Sequence, residues 1–226
     1  MSISIENFVK TIYLQEQRMG EDTRPGTLAK LLNITNAATT DMARSLAQKQ
    51  LVNYTKYQKL SLTPEGKKLA LNILRKHRLW EAFLSKTLDL SLHEIHEEAE
   101  RLEHLTSDFL ADKIDSFLNF PESDPHGDPI PCNEGVITKE FDAVLLSDAE
   151  IDKDYTIVRL FSSNPDFFDF CASNNISIGS TVRVINNFEE MKMKEINIHE
   201  KNLLLNEEFT NIIYVKTKDE EEKNNK

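Results

Sequence analysis

The chain has 226 residues, with 38 Asp and Glu against 27 Lys and Arg, and a net charge of −11. No apolar run approaches the ~20 residues of a membrane span, and Met1 to Glu6 lacks a signal peptide's basic-then-apolar pattern. Cys132 and Cys171 are the only cysteines and neither lies in a CxxC pair, which argues against a structural zinc site and for a reduced, cytoplasmic setting.

The charge is uneven. Residues 1–80 hold 13 Lys and Arg against 6 Asp and Glu, whereas 81–226 hold 14 against 32. Acidic proteins ordinarily avoid polyanions, but the basic first third admits nucleic acid as a partner for itself alone.

Residues 4–19 read as a helix, with Ser4 as N-cap and Ile5, Phe8, Val9, Ile12 and Tyr13 as its apolar stripe. Gly20 to Gly26 reads as a polar turn. Thr27 can cap a short helix, Leu28 to Leu32. After the break at Asn33 to Asn36, Ala37 to Gln50 reads as a second helix. Its Met42, Ala43 and Leu46 face inward, and Thr40, Asp41, Arg44 and Gln48 face outward. Two short helices around a tight turn, the second opening on small and polar residues, match a helix-turn-helix. Leu51 to Tyr54 and Leu60 to Thr63 are β-like runs around Lys56-Tyr57-Gln58-Lys59, a hairpin with a basic tip placed for phosphates.

Thr63-Pro64-Glu65 starts a long helix, with Thr63 as cap and Pro64 at the first position. His77 and Glu81 fall on it at i,i+4 spacing. Residues 96–104, His-Glu-Glu-Ala-Glu-Arg-Leu-Glu-His, lack Gly and Pro and read as one amphipathic helix. At about 100° per residue His96, Glu100, Glu103 and, one step round, His104 share a face. Carboxylates packed that closely repel unless a cation sits among them. Each half alone would suit a solvated helix face. Together they point to a divalent metal, and an oxygen-rich set with imidazole and no thiolate suits Mn(II) or Fe(II).

A further helix carries Phe109, Leu110, Ile114, Phe117 and Leu118. This is more apolar surface than a short bundle needs, and it suggests a homodimer interface. Asn119 to Gly135 holds four of the seven prolines and reads as a turn-rich strap, with His126 a turn residue and Cys132 a buried thiol. Residues 141–216 show β-like runs at 143–146, 155–161, 181–185, 196–198 and 212–215, with a helix at 166–173 behind Asn164-Pro165. They read as a small SH3-like barrel with Phe167, Phe168 and Phe170 in its core. The charged stretch 217–226 reads as disordered.

These readings sum to a mainly α chain with β. Residues 1–70 form a winged helix-turn-helix, 71–135 a helical metal-binding and dimerisation domain, 136–216 the SH3-like barrel, and 217–226 a tail. The chain has no Walker loop, GxGxxG or GxSxG, and His93-Glu94-Ile95-His96 misses the zinc-protease spacing by one residue. No separate nucleophile or base is visible, so an enzyme is not expected.

Three segments resemble the metal-dependent repressors typified by the diphtheria toxin repressor and the manganese transport regulator. They are Arg75-Lys76-His77-Arg78-Leu79-Trp80-Glu81, the 96–104 run, and Pro125-His126-Gly127-Asp128-Pro129-Ile130-Pro131. The resemblance covers about 1–135 well and the barrel loosely. It implies that His77, Glu81 and His96 fall on metal-binding positions of one or both branches, and that Glu100, Glu103 and His104 fall on the main ligand run. Glu100 stands where iron-type members have Cys and manganese-type members have Glu. Two residues depart from the pattern. Asn7 stands where the family has Met or Asp; its amide oxygen can coordinate but brings no charge. Lys10 stands where the manganese type has Glu, and an ammonium cannot be a ligand for a manganese pair. In the barrel the iron type's ligand positions align with Asn164 and Phe167, and Phe167 cannot bind metal.

The resemblance implies a repressor of metal-uptake genes with Mn(II) or Fe(II) as corepressor, and Zn(II) or Co(II) able to substitute in vitro. The partners would be double-stranded operator DNA and a second copy of the chain, with no membrane and no small-molecule substrate. Thr35, Asn36, Ala37, Thr39, Thr40, Asp41 and Arg44 would face the bases, and Lys56 and Lys59 the phosphates. Without metal, Glu81, Glu100 and Glu103 would repel one another; an ion would draw them together and recruit Asn7 or its carbonyl. The alternatives are a metalloenzyme on a helical bundle and a metal-independent dimeric DNA-binding regulator.

Overall fold

The computed structural model describes residues 2–17, 22–88, 90–137, 143–162 and 164–218. Most of the expected tail lies outside the described residues, although its first residue, Thr217, ends a strand. The chain forms two compact units. The first comprises Met1–Trp80, Ala99–Phe120 and Ile130–Thr138; the second comprises Glu81–Glu98, Pro121–Pro129 and Lys139–Lys226.

In the first unit, α1 (Ile3–Gln17) begins one residue before the expected start. The Ser2 carbonyl accepts from the N–H groups of Ile5 and Glu6, so Ser4 sits inside the first turn and does not cap it. Helix α2 (Pro25–Leu31) also starts early. Pro25 has a fixed φ suited to a first helical turn and no N–H to leave unpaired. Thr27 is therefore inside the helix, and its hydroxyl donates to Asp22. Helix α3 (Asn36–Gln48) is capped by Thr35, whose Oγ1 accepts from Ala38 N at 3.1 Å. Strands β1 (Val52–Asn53) and β2 (Ser61–Leu62) pair antiparallel with Val52 opposite Leu62, and an exposed turn joins them. Phe8, Val9 and Ile12 of α1 share one core with Leu28, Leu46, Leu60 and Leu74. Helix α1 is thus packed into the winged helix-turn-helix and is not an appendage.

Helix α4 (Pro64–Thr87) starts as expected, with Thr63 Oγ1 accepting from Gly66 N. Gly66 is required there because a Cβ would lie 1.9 Å from the Leu51 carbonyl oxygen. The expected 96–104 helix is instead two pieces: α5 (Leu92–Leu102) and a 3₁₀ turn, Glu103–Leu105. The α-helix closes because Thr106 Oγ1 donates to the Leu102 carbonyl at 2.7 Å, while Thr106 itself is extended. Ser107 then caps α6 (Asp108–Phe117).

The second unit holds β3 (Val144–Leu145), β4 (Asp154–Leu160), α7 (Pro165–Ser173), β5 (Thr181–Phe188), β6 (Met193–Ile198), β7 (Lys201–Asn206), α8 (Glu207–Thr210) and β8 (Ile213–Thr217). The six strands form one antiparallel sheet in the order β3-β8-β4-β5-β6-β7. Phe167, Phe168, Ile157, Val182, Ile196 and Val215 are its core, as expected of the two phenylalanines. Asn164 caps α7 through Asp166 N, so Asn164 and Phe167 both have structural employment. Strand β7 was not expected. It joins β6 through His199-Glu200, both at positive φ. That turn ordinarily announces itself with Asn-Gly, and here it does not. Among the described residues no helix is long and apolar enough to cross a membrane.

Candidate metal centre

In the first unit, α1 meets the end of α5 through charged side chains. Lys10 Nζ lies 2.5 Å from Glu100 Oε1 and 2.6 Å from Glu103 Oε1. His77 Nδ1 lies 2.7 Å from Glu103 Oε2. His104 Nδ1 lies 2.6 Å from Glu6 Oε2, and its Nε2 lies 3.3 Å from Glu103 Oε1. The side chains of Lys10, His77, Glu103 and His104 are all more than nine-tenths buried. The 3₁₀ winding matters. At about 120° rather than 100° per residue, it turns Glu103 and His104 away from the positions a continued α-helix would give them.

Burial alone would lower the Lys10 pKa, but the carboxylates of Glu103 and Glu100 outweigh it and raise it above the ordinary lysine value. The group is an ammonium. The sequence alone does not single out Glu6; the available signal is its i,i+4 spacing to Lys10, which puts both on one face of α1.

The donor set fits a divalent cation. Glu6, a carboxylate, can only accept from His104 Nδ1, which leaves Nε2 as the ring atom that faces Glu103. Nε2 is buried and makes no hydrogen bond, and neither does Glu103 Oε2. Nε2 faces Glu103 Oε1 at 3.3 Å, the oxygen that also takes Lys10 Nζ at 2.6 Å. Glu100, Glu103 and His104 each bring one ligand atom within 4.8 Å of the others. Oxygen plus imidazole is the chemistry of Mn(II) and Fe(II). Asn7 has a buried, unbonded Oδ1. Its backbone carbonyl is taken by Thr11 Oγ1 at 2.8 Å, so only the amide oxygen is left to coordinate.

The remaining predicted ligands, Glu81 and His96, lie in the second unit. Glu81 is 2% exposed, with Oε1 at 3.0 Å from His96 Nδ1 and 3.5 Å from His126 Nδ1. Ligand atoms of Glu81, Asp124 and His126, all buried, also lie within 4.8 Å of one another. Asp124 Oδ1 accepts from the N–H groups of His126 and Asp128. Burial would lower the His126 pKa, but Glu81, Asp124 and Asp128 outweigh it and raise it. The turn is fixed by Gly127 at φ +82°, where a Cβ would meet the Val158 carbonyl oxygen at 2.1 Å, and by Leu160 N donating to the His126 carbonyl. His126 is therefore a buried member of a polar cluster as well as a turn residue. Cys132, expected buried, is half-exposed.

Of the predicted DNA-facing residues, Thr35, Asn36, Ala37, Asp41, Arg44, Lys56 and Lys59 are exposed. Thr40 is half-buried, with its hydroxyl on the Asn36 carbonyl. Thr39 is a correction. It is 0% exposed and its hydroxyl donates to the Thr35 carbonyl, so it packs beneath α3 and cannot reach a base.

Residues 63–132 match the family model of the iron dependent repressor metal binding and dimerisation domain. An HTH-type transcriptional regulator of Methanocaldococcus jannaschii is 38% identical over 118 residues, 52% of this chain and 94% of that relative. The diphtheria toxin repressor of Corynebacterium glutamicum is 32% identical over 126 residues, 56% of this chain and 55% of its own length. A solved manganese-dependent transcriptional repressor in complex with manganese superposes with a TM-score of 0.87 at 30% identity, over 94% of this chain and 99% of that one.

Proposed function

The chain belongs to the family of metal-dependent transcriptional repressors that includes the diphtheria toxin repressor, and from that premise we propose that it turns divalent-metal supply into operator binding. The corepressor is Mn(II) or Fe(II), held by Glu100, Glu103 and His104 with His77 beside them and the Asn7 amide in reach. One observation carries the reading. Helix α1 buries Phe8, Val9 and Ile12 in the winged helix-turn-helix core and presents Glu6 and Lys10 to the carboxylate–imidazole cluster. Any change of charge in the cluster acts on α1, and α1 is part of the DNA-reading body.

The acidic side chains work as the sensor. Glu100 and Glu103 share the Lys10 ammonium, one charge against two, and a divalent ion placed among them would neutralise the rest. The ion must bind the DNA-competent arrangement more tightly, and DNA must then tighten metal binding by the same factor. Helix α3 supplies Asn36, Ala37, Thr40 and Arg44 to the major groove, and Lys56 and Lys59 meet phosphate.

The operator would be read by a dimer. Leu105, Phe109, Phe117 and Phe120 are between 64% and 83% exposed on and beside α6, which is unusual for large apolar side chains on a lone surface. They form the face that a second copy covers. A protein that reads chromosomal DNA in this way works in the cytoplasm.

The test is an operator-binding titration in Mn(II), Fe(II), Zn(II) and chelator. Affinity should rise at least tenfold with Mn(II) or Fe(II) over chelator. Equal affinity in all four would reject metal activation, and a monomer by light scattering in every condition would reject the dimer.

A further inference from the structure

We propose that Tyr57, at the tip of the β1–β2 wing, reads the operator's minor groove: its ring enters edge-on beside the segment that α3 reads and favours A·T pairs there. The proposal rests on the DNA-binding reading above. It adds a contact that carries sequence preference, where lysines on phosphate carry none.

The backbone sets this residue apart. Tyr57 has φ +67°, a left-handed position that ordinarily goes to Gly, Asn or Asp and is strained for a bulky side chain. It is also 82% exposed, so core packing does not offset the strain. The wing beneath it is fixed. Thr23 Oγ1 donates to the Leu60 carbonyl at 2.7 Å, Leu60 N donates to the Thr23 carbonyl at 3.3 Å, and both residues are buried. Glu16 Oε1 accepts from Leu62 N at 3.0 Å. Gln58 N donates to the Thr55 carbonyl at 3.1 Å and closes the tip itself. A ring held out on a fixed hairpin loses little freedom when it binds.

Charge and shape name the occupant. Residues 1–80 carry 13 Lys and Arg against 6 Asp and Glu, and Lys56 and Lys59 lie on either side of the ring in sequence. Lys56 Nζ stands 4.8 Å from the Tyr57 ring centroid. An ammonium over one face excludes stacking between two base pairs, which needs both faces. The edge and the other face remain, and they suit the sugar walls of a groove about 6 Å wide. There the ammonium meets a negative potential that is strongest where A·T runs narrow the groove. Only Lys49 to Leu51 separate α3 from β1, and Leu51 N donates to the Leu46 carbonyl at 3.0 Å. A helix lying in the major groove therefore brings this hairpin to the adjoining minor groove.

The experiment uses the full chain with Mn(II) and the duplex it selects from a random pool. In A·T pairs flanking the part that α3 protects, adenine is replaced by 2,6-diaminopurine. This adds an amino group in the minor groove and leaves the major-groove donor and acceptor pattern as it was. We expect A·T enrichment in the flanks and a wild-type affinity loss of at least about fivefold at one or more of these pairs. The loss should shrink below about twofold in Tyr57→Asn and return in Tyr57→Phe. Because Asn tolerates the left-handed backbone, Tyr57→Asn should keep or raise the thermal midpoint. Flanks without A·T enrichment, no wild-type loss at any flanking pair, an equal loss in Tyr57→Asn, or no return in Tyr57→Phe would each overturn the proposal. So would a midpoint lowered by Tyr57→Asn, which would place the ring in the service of the fold. A wild-type chain that enriches no duplex in Mn(II) would instead overturn the DNA-binding reading itself.

Discussion

Glu6 on α1 and His104 on the 3₁₀ turn meet at 2.6 Å, Oε2 to Nδ1, across 98 positions of the chain. A carboxylate in that place fixes the imidazole tautomer and makes Nε2 a better electron-pair donor. It also makes the last turn of the metal helix a contact of the DNA-reading unit's own first helix.

Glu6→Gln keeps the size of the side chain but weakens its pull on the Nδ1 proton. Mn(II) affinity should fall by about tenfold to a hundredfold, the usual effect of losing such an outer partner. Competition against a chromogenic chelator measures it. An unchanged affinity would remove Glu6 from the centre.

Arg75 is 3% exposed and its Nη2 lies 2.8 Å from Asp115 Oδ2 and 2.9 Å from Asp112 Oδ1, joining α4 to α6. Arg75→Met leaves Asp115 largely buried without its cation. Removing one partner of such a pair costs about 3 kcal/mol or more, which urea unfolding would register as a lowered midpoint. The exposed ion pair of Arg44 with Asp41 should give no comparable loss when Asp41 is removed.

On the DNA side, Lys56→Gln with Lys59→Gln should weaken operator and non-specific DNA alike. The salt slope should fall by about one for each phosphate that is no longer neutralised. Arg44→Ala should instead change which operator variants bind. Thr39→Val should leave base preference untouched and cost on the order of 1 kcal/mol of stability, since its hydroxyl serves only the Thr35 carbonyl.

Burial pushes the Cys171 thiol from 9.0 up to about 12. The unfolded chain gives up this proton from about pH 9, while the folded core keeps it. Stability of the β unit should therefore decline as pH rises from 9 toward 12, and a Cys171→Ala variant should show a smaller decline. At pH 8 iodoacetamide should modify half-exposed Cys132 and spare Cys171.

Gly127→Ala asks a residue at φ +82° to carry a Cβ 2.1 Å from a carbonyl oxygen. A loss on the order of 2 kcal/mol or more is expected from the strain and clash combined. Thermal unfolding would show it, and the displaced turn would carry His126 away from Glu81.

What the sequence determined by itself was local. Thr63 and Asn164 could be read as caps because a cap needs only the next three residues, whereas Thr35 was read as part of a break and caps α3. The winged helix-turn-helix and α7 followed from spacing and composition, and the carboxylates and imidazoles at 77, 81, 96, 100, 103 and 104 pointed to a candidate metal site. Tertiary structure decided what depends on atoms distant in the chain. A lysine at position 10 reads as a lost ligand until Nζ is seen between two carboxylates. Glu6 and His126 acquire roles only from the imidazole or carboxylate that another element brings to them. Glu103 and His104 keep their identity but change their phase, because Thr106 closes the helix beneath them. Thr39 leaves the DNA-facing set because core packing took it first. Periodicity along one element fixes which side chains share a face. Which charge lies opposite that face is a through-space quantity, and here it sets the Lys10 ammonium against Glu100 and Glu103.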